Sequence, residues 1–310
     1  MRIEPIARTA PNGRTVRGVR LGPVDMFFGE RSGKFPDGNQ VIVRGRDSMV
    51  AFDTPMVANL IAPEIQAADL LVLSHVHEDH TAGLHLIPHL PVHSPRADVD
   101  ALRSLKGLAQ HYGYGPGVSE AMVARAQADF HFQPRPDAAC YEDGAVWDLG
   151  NVRVRAIHMP GHTRGHSVLL VEPWDIAFIG DIDLSSFGPY YGDACSDLPA
   201  FRRTLRQIQQ VPAQVWITSH HKGLISDKDT FLALLRDFAA VIDRRDQALL
   251  SALSSTSKTL DELACHRFVY PQNFADLFVP AVERRVISQH LDQLLAQGLI
   301  RRDGNHYTAS

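Results

Sequence analysis

SHVHEDHTAG, residues 74–83, places His75, His77 and His80 beside the acids Glu78 and Asp79 in one short run. Imidazoles and carboxylates taken out of water without partners each cost several kcal/mol, so a crowd of them needs a compensating charge. The run follows ADLLVLSH (68–75), an apolar stretch of strand length, which puts His75 at the carboxyl end of a buried strand and the remainder in the loop beyond it. Ligands of open α/β sheets bind at that end. In an extended segment His75 and His77 project to one side, while Asp79 and His80 come from the turn that follows. One segment can therefore begin two adjacent metal sites, with neutral imidazole and carboxylate donors suited to a borderline divalent ion such as zinc.

The same scheme recurs outward along the chain. VWDLGNVRVRAIHMPGH (146–162) reads as a hairpin and a strand leading to His162, DIAFIGD (175–181) as a strand leading to Asp181, and VWITSHH (215–221) as a strand leading to His220 and His221. Four strands thus run out into a potential metal ligand. Upstream, QVIVRG (40–45) and SMVAFD (48–53) are β-branched runs preceded by turn chemistry in FPDGN (35–39), and the strand pattern begins at about Val41. LPVHSP (90–95) is a further short strand. Residues 98–132 read as two helices around a Gly-Tyr-Gly-Pro-Gly break, an insertion placed to cover the site.

After about residue 225 the pattern turns helical, in DTFLALLRDFAAVIDRRDQALLSAL (229–253), TLDELACHRF (259–268) and AVERRVISQHLDQLLAQG (281–298). LIRRDGNHYTA (299–309) closes as a hairpin. The expectation is a catalytic domain over 1–228 and a small winged-helix-like domain over 229–310.

Composition narrows the function. The 310 residues carry 31 Lys and Arg against 35 Asp and Glu, a balance that gives no global attraction to nucleic acid or anionic lipid. Three separated cysteines without a Cys-x-x-Cys spacing argue against a disulfide framework or a thiolate zinc knuckle and suit a reducing cytoplasm. The basic N-terminus lacks an apolar export core, and no stretch approaches the roughly 20 apolar residues of a membrane span.

Ser74-His75-Val76-His77-Glu78-Asp79-His80, Pro160-Gly161-His162-Thr163-Arg164-Gly165-His166, Gly180-Asp181 and Ser219-His220, in that order, resemble the successive metal motifs of the metallo-β-lactamase-fold hydrolases, in a glyoxalase-II-like branch with a winged-helix tail. The resemblance spans roughly residues 20 to 225. It implies an αββα sandwich with two divalent ions at one edge, zinc in the first place and iron or manganese as alternatives. One ion would be held by His75, His77 and His162, the other by Asp79, His80 and His220, with Asp181 bridging. His221 takes an outer or substrate-facing role, and His166 an outer hydrogen-bonding one. Asp79 and Asp181 are the residues nearest the chemistry, in which a hydroxide shared by the two ions attacks a small ester, thioester or lactone. Asp79 could also orient the water or take its proton.

Around that core, Tyr190 or Tyr191 in SSFGPYYGDACSD (185–197) could donate to a substrate oxyanion, with simple packing as the competing reading. Lys222 could meet an anionic group, against the reading of a solvated lysine. Cys195 matches no metal-binding cysteine of the antibiotic-degrading branch. Competing functions are a metal-dependent ribonuclease or phosphodiesterase reading nucleic acid through Arg284, Arg285 and His290, and a diiron redox protein with the same ligands. Asp243 to Ser310 holds eight basic and eight acidic residues, which favours a packing or homodimerising tail over a nucleic-acid module.

Overall fold

The computed structural model describes residues 2–310. Runs of two to seven residues rich in β-branched side chains, punctuated by Gly, Pro and Asp, build two mixed sheets that stack face to face. The first contains β1 (Glu4–Thr9), β2 (Thr15–Leu21), β3 (Val24–Phe27), β4 (Gln40–Arg44), β5 (Met49–Phe52), β6 (Leu70–Val72), β7 (Val92–Pro95) and β8 (Ala139–Tyr141), in sequence order. It is antiparallel as far as β5 and parallel from there to β8. The second contains β9 (Val146–Asp148), β10 (Arg153–His158), β11 (Ser167–Glu172), β12 (Ile176–Phe178), β13 (Val215–Ile217) and β14 (Leu224–Ile225), in the order β14-β13-β12-β11-β10-β9, with β12 and β13 parallel.

Helices cover both outer faces. They are α1 (Glu30–Gly33), a single turn with left-handed φ at Arg31 and Ser32, then α2 (Ala62–Gln66), α3 (Val99–Arg103), α4 (Leu105–Tyr112), α5 (Val118–Asp129), α6 (Leu198–Gln207), α7 (Lys228–Leu253), α8 (Leu260–Cys265) and α9 (Val279–Ala296). Three cores record the layering. Val41, Phe52 and Val72 of the first sheet meet Val154, Leu169 and Phe178 of the second. Outside the first sheet, Ile42, Ala51 and Leu71 pack with Ile65, Leu102, Leu108 and Met122 from α2 to α5. Outside the second, Leu170, Ala177 and Trp216 pack with Phe201 of α6, Phe231 and Leu235 of α7, and Val282 and Val286 of α9. The result is the αββα sandwich that the motifs imply. At about 1.5–3 kcal/mol for each fully buried large apolar side chain, these three cores are the main driving force for the layers.

Three strands precede Val41, where the sequence pattern shows none. β2 alternates buried Val16 and Gly18 with exposed Thr15 and Arg17, so glycine and arginine mask a period-two pattern. The 98–132 insertion forms three helices, not two, because Ser104 stops α3 and starts α4 by accepting a hydrogen bond from the Gly107 amide (2.9 Å).

α7 spans 26 residues and links two cores. Its first half lies on the second sheet, where Phe231 stacks on Trp216 at 4.2 Å. Its second half gives Leu249 and Leu253 to a smaller core with Leu263, Ile287, Leu291 and Tyr307. Around that core β15 (Lys258–Thr259), β16 (Ile300–Asp303) and β17 (His306–Ala309) form a three-stranded sheet in the order β15-β17-β16. α9 turns its buried face to the catalytic half. His290, assigned above to nucleic-acid reading, is wholly buried between Tyr191 and Asp246, Arg285 donates to the Gly113 carbonyl and Arg284 pairs with Asp261. His290 and Arg285 are thus packing contacts of α9, while Arg284 is half exposed and paired with Asp261 at the surface.

Glu283, fully buried on α9, accepts from the amides of Phe268, Val269 and Tyr270. Glu283→Ala leaves those donors unpaired, and we expect a loss of about 1–3 kcal/mol in urea unfolding, with amides 268–270 losing hydrogen-exchange protection. Unchanged protection there would remove Glu283 from this role. Among the described residues no helix is long and apolar enough to cross a membrane.

Candidate metal centre

The loops after β6, β10, β12 and β13 meet at one edge of the sandwich. They bring together every residue that the sequence assigned as a ligand: His75, His77, His162 and Asp181 form one group of donors, and Asp79, His80 and His220 a second. All are buried or nearly so. β6 ends at Val72, the chain bends at Ser74 and His75, is extended at His77 and then turns through a short 3-10 segment at Glu78–His80, which sends Asp79 and His80 to the second group.

Each ring is fixed through one nitrogen, which sets its tautomer. His75 Nδ1 donates to Ser74 Oγ (3.0 Å), His80 Nδ1 to Asp53 Oδ2 (2.8 Å) and His162 Nδ1 to the Tyr190 carbonyl (3.0 Å). His220 Nδ1 is shared between the carbonyls of Gly33 (2.8 Å) and Asp37 (2.9 Å). His77 is turned the other way, with Nε2 2.9 Å from Asp193 Oδ2 and Nδ1 3.0 Å from His162 Nε2. The remaining nitrogens converge on the carboxylates. His80 Nε2 lies 3.0 Å from Asp181 Oδ1, His162 Nε2 3.3 Å from Asp181 Oδ2, and His220 Nε2 3.1 Å from Asp79 Oδ2 and 3.6 Å from Asp181 Oδ1. Asp181 reaches rings of both groups.

The residues fit two cations. His75 Nε2, His80 Nε2 and Asp181 Oδ1 are buried without a hydrogen-bond partner, as ligand atoms awaiting an ion would be. Five imidazoles and two carboxylates form a zinc-like donor set, which also accepts iron or manganese. Without an ion the carboxylates hold protons on the rings. Burial opposes charge on His220, but Asp181 and Asp79 outweigh it and push its pKa up to about 10. Burial likewise opposes charge on His77, and Asp193 overcomes it to bring that ring to about 9. His75, with mainly burial and neighbouring rings acting on it, falls well below the usual histidine range.

The supporting carboxylates are what sequence reading missed. Asp53, at the loop end of β5 with φ of 53°, accepts from the Ser74 amide and hydroxyl (both 2.7 Å) and from His80. Asp98 ties the two histidine loops together, accepting from Thr163 Oγ1 (2.6 Å) and the Gly165 amide (2.9 Å) of one and from the Val76 amide (3.4 Å) of the other. Asp37 accepts from the amides of Glu30, Gly38 and Val57 and so shapes the loop that cradles His220. Asp53 had a readable signal, a strand ending in an acid. Asp98, Asp37 and Asp193 sit in loops with no spacing to mark them.

The other assigned residues divide. His166 stands outside the donor groups, Nδ1 donating to the Met159 carbonyl and Nε2 accepting from the Asp181 amide (3.1 Å). Tyr190 lies beside His162 with its hydroxyl engaged by Asp193 and Tyr114. Tyr191 does not reach the site: its ring is fully buried and its hydroxyl meets Arg245 and His290. This corrects its assignment as an oxyanion donor, since adjacent residues of an extended loop point to opposite sides. His221 is partly exposed, 3.6 Å from Asp183 Oδ2, and Lys222 is exposed beside it. Glu78 is held by the Tyr112 hydroxyl (2.6 Å).

Gly180 is constrained by its surroundings. Its φ is 54°, and a Cβ there would lie 2.5 Å from His166 Nε2. Gly180→Ala should displace His166 from the Asp181 amide, lowering stability by about 1–3 kcal/mol and weakening metal retention. Thermal unfolding and metal content together check this, and a fully loaded, equally stable variant would contradict it.

A sequence profile described as the metallo-beta-lactamase superfamily matches residues 59–242, more than half of the chain. Among curated proteins, an acyl-coenzyme A thioesterase, MBLAC2, of Bos taurus is 27% identical over 173 residues, covering 48% of this chain and 60% of that protein. The match therefore spans less than two thirds of the bovine protein. A hydroxyacylglutathione hydrolase of Cereibacter sphaeroides is 28% identical over 207 residues, covering 64% of this chain and 68% of that protein. In fold, the chain is similar to the crystal structure of a metallo-beta-lactamase family protein from Thermus thermophilus, with a TM-score of 0.65 at 22% identity over 88% of this chain and 94% of that one.

Proposed function

The chain belongs to the metallo-beta-lactamase superfamily, and from that membership and the geometry of the site we propose that it is a dizinc hydrolase of a small thioester, ester or lactone. The observation that carries the reading is the convergence of seven donor side chains on one buried volume with Asp181 touching both groups. When bound, two divalent ions would supply the Lewis acidity that brings a water's pKa from about 16 towards about 7 and polarises an acyl oxygen. His75, His77, His162 and Asp181 would hold one, and Asp79, His80, His220 and Asp181 the other.

The chain's own groups do the rest. Asp53, Asp193 and the carbonyls of Tyr190, Gly33 and Asp37 fix the ring orientations before substrate arrives, so little reorganisation is needed during reaction. Asp79 and Asp181 carry the negative charge at the reacting edge and are the groups able to hold the proton given up by a nucleophilic water. Lys222, on the loop that follows His220, stands with Lys34 at the solvent side and forms a cationic rim for an anionic part of the substrate, while burial lowers the pKa of His221 and leaves it a neutral imidazole beside Asp183. A thioester of a large anionic thiol fits that rim, and two of the similar proteins bear names of thioester-cleaving enzymes. We assign the C-terminal region from residue 229 a winged-helix-like arrangement that packs against the catalytic half; its balanced charge and the engaged side chains of α9 weigh against a nuclease.

The test joins metal analysis to catalysis. Protein purified without added metal should contain two zinc ions per chain and release thiol from acyl thioesters; chelation should abolish the release and zinc restore it. Two irons with oxygen consumption would point to the redox alternative, and a folded protein that binds no ion would overturn the reading.

A further inference from the structure

On the side of His77 facing away from His162, a second set of donors lies outside the centre just described. His111 at the end of α4 and Cys195 in the 185–197 loop are both more than nine-tenths buried, and with a nitrogen of His77 their donor atoms lie within 4.8 Å of one another. Neither His111 Nε2 nor His77 Nε2 has a hydrogen-bond partner of good geometry, although Asp193 Oδ2 is 2.9 Å from the latter. Buried imidazole nitrogens in this state are uncommon.

The backbone holds the set in place. The Ala194 amide donates to the Tyr112 carbonyl (2.9 Å) and the Cys195 amide to that of His111 (3.2 Å), so the loop is laced to the end of α4 and Cys195 is pinned opposite His111. Gly113 then ends α4 with φ of 61°.

We propose that His111, Cys195 and the outward nitrogen of His77 form a third site for a zinc-like divalent ion, its fourth position open to water. One thiolate and two imidazoles suit zinc, cobalt and cadmium and disfavour magnesium and calcium. A tetrahedral ion with bonds of about 2.0–2.3 Å spans donors up to about 4 Å apart, so the side chains would close by less than about 1 Å. Binding releases the Cys195 thiol proton and the His77 Nε2 proton to solvent. His77 would then bridge the third site and the main centre through its two nitrogens. The site rests on the placement of His111 and Cys195 and does not depend on which reaction the main centre performs.

The experiment is a cobalt(II) titration of chelator-stripped full-length protein, read by near-ultraviolet absorption. The first two equivalents should bring no sulfur-to-metal charge-transfer band, because no thiol lies in the main centre, and a third should bring one. Cys195→Ser should bind two equivalents and lose the band, and His111→Gln should weaken the third equivalent at least about tenfold. No band at any stoichiometry, or a band that persists in Cys195→Ser, would each overturn the proposal. If Cys195→Ser fails to fold, the double variant Cys140→Ser/Cys265→Ser decides, since the band must survive it. Fewer than two band-free equivalents with an intact thiolate band would count against the main centre and leave this site standing.

Discussion

Asp181→Asn is expected to leave a protein that folds but retains at most one ion per chain and hydrolyses its acyl substrate about a thousandfold more slowly. Asp181 is the carboxylate that both donor groups share, at 3.0 Å from His80 Nε2, 3.3 Å from His162 Nε2 and 3.6 Å from His220 Nε2. The amide is nearly isosteric, so packing is kept and one negative charge is removed. Two unit charges about 4 Å apart at an effective dielectric of about 20 interact by about 4 kcal/mol, equivalent to about three powers of ten. That exceeds the 10- to 100-fold typical of losing an outer hydrogen-bond partner. Metal content by elemental analysis and thiol release under saturating zinc measure the two halves of the prediction. Two retained ions with an unchanged rate would take Asp181 out of the bridging role.

Asp53→Ala should show its largest effect on stability, even in chelator-stripped protein. The side chain is almost wholly buried, and its loss leaves the Ser74 amide, the Ser74 hydroxyl and His80 Nδ1 without their acceptor. Buried donors stripped of a charged partner cost about 3–5 kcal/mol, a large share of the 5–15 kcal/mol by which domains are stable. The position adds strain, because φ is 53° and aspartate tolerates left-handed backbone better than alanine. Asp53→Asn keeps one acceptor oxygen and that tolerance, so the order of stability should be wild type, then Asn, then Ala. Urea unfolding without metal separates this effect from ligand loss. Equal midpoints for all three would show that Asp53 serves only to orient His80.

Sequence alone marked the donors at the edge of the sandwich because chain-local chemistry reveals them. A histidine or aspartate just past an apolar strand is legible at His75, His162, Asp181 and His220, and the turn after His77 is legible from the residues within it. The sandwich came from the resemblance that the ordered motifs carry, since strand runs alone leave the layering open. Parts of the N-terminal sheet were not legible, because Gly18 and Arg17 interrupt the alternation of β2. Tyr190 and Tyr191 are adjacent in sequence, yet one lies beside His162 and the other is sealed against His290 of α9, a distinction that exists only once α9 packs on the loop.

The sequence by itself therefore determined which residues could bind cations and in what order the strands deliver them, because those depend on residue type and on spacing within one strand and its loop. Only the tertiary structure decided which carboxylates orient the rings, that α9 turns its buried face to the catalytic half, and that Cys195 meets His111 behind His77. Each of those pairings joins residues tens of positions apart, such as Asp53 with His80 or Asp193 with His77, whose mutual distance is set by the stacking of two sheets and by no local pattern.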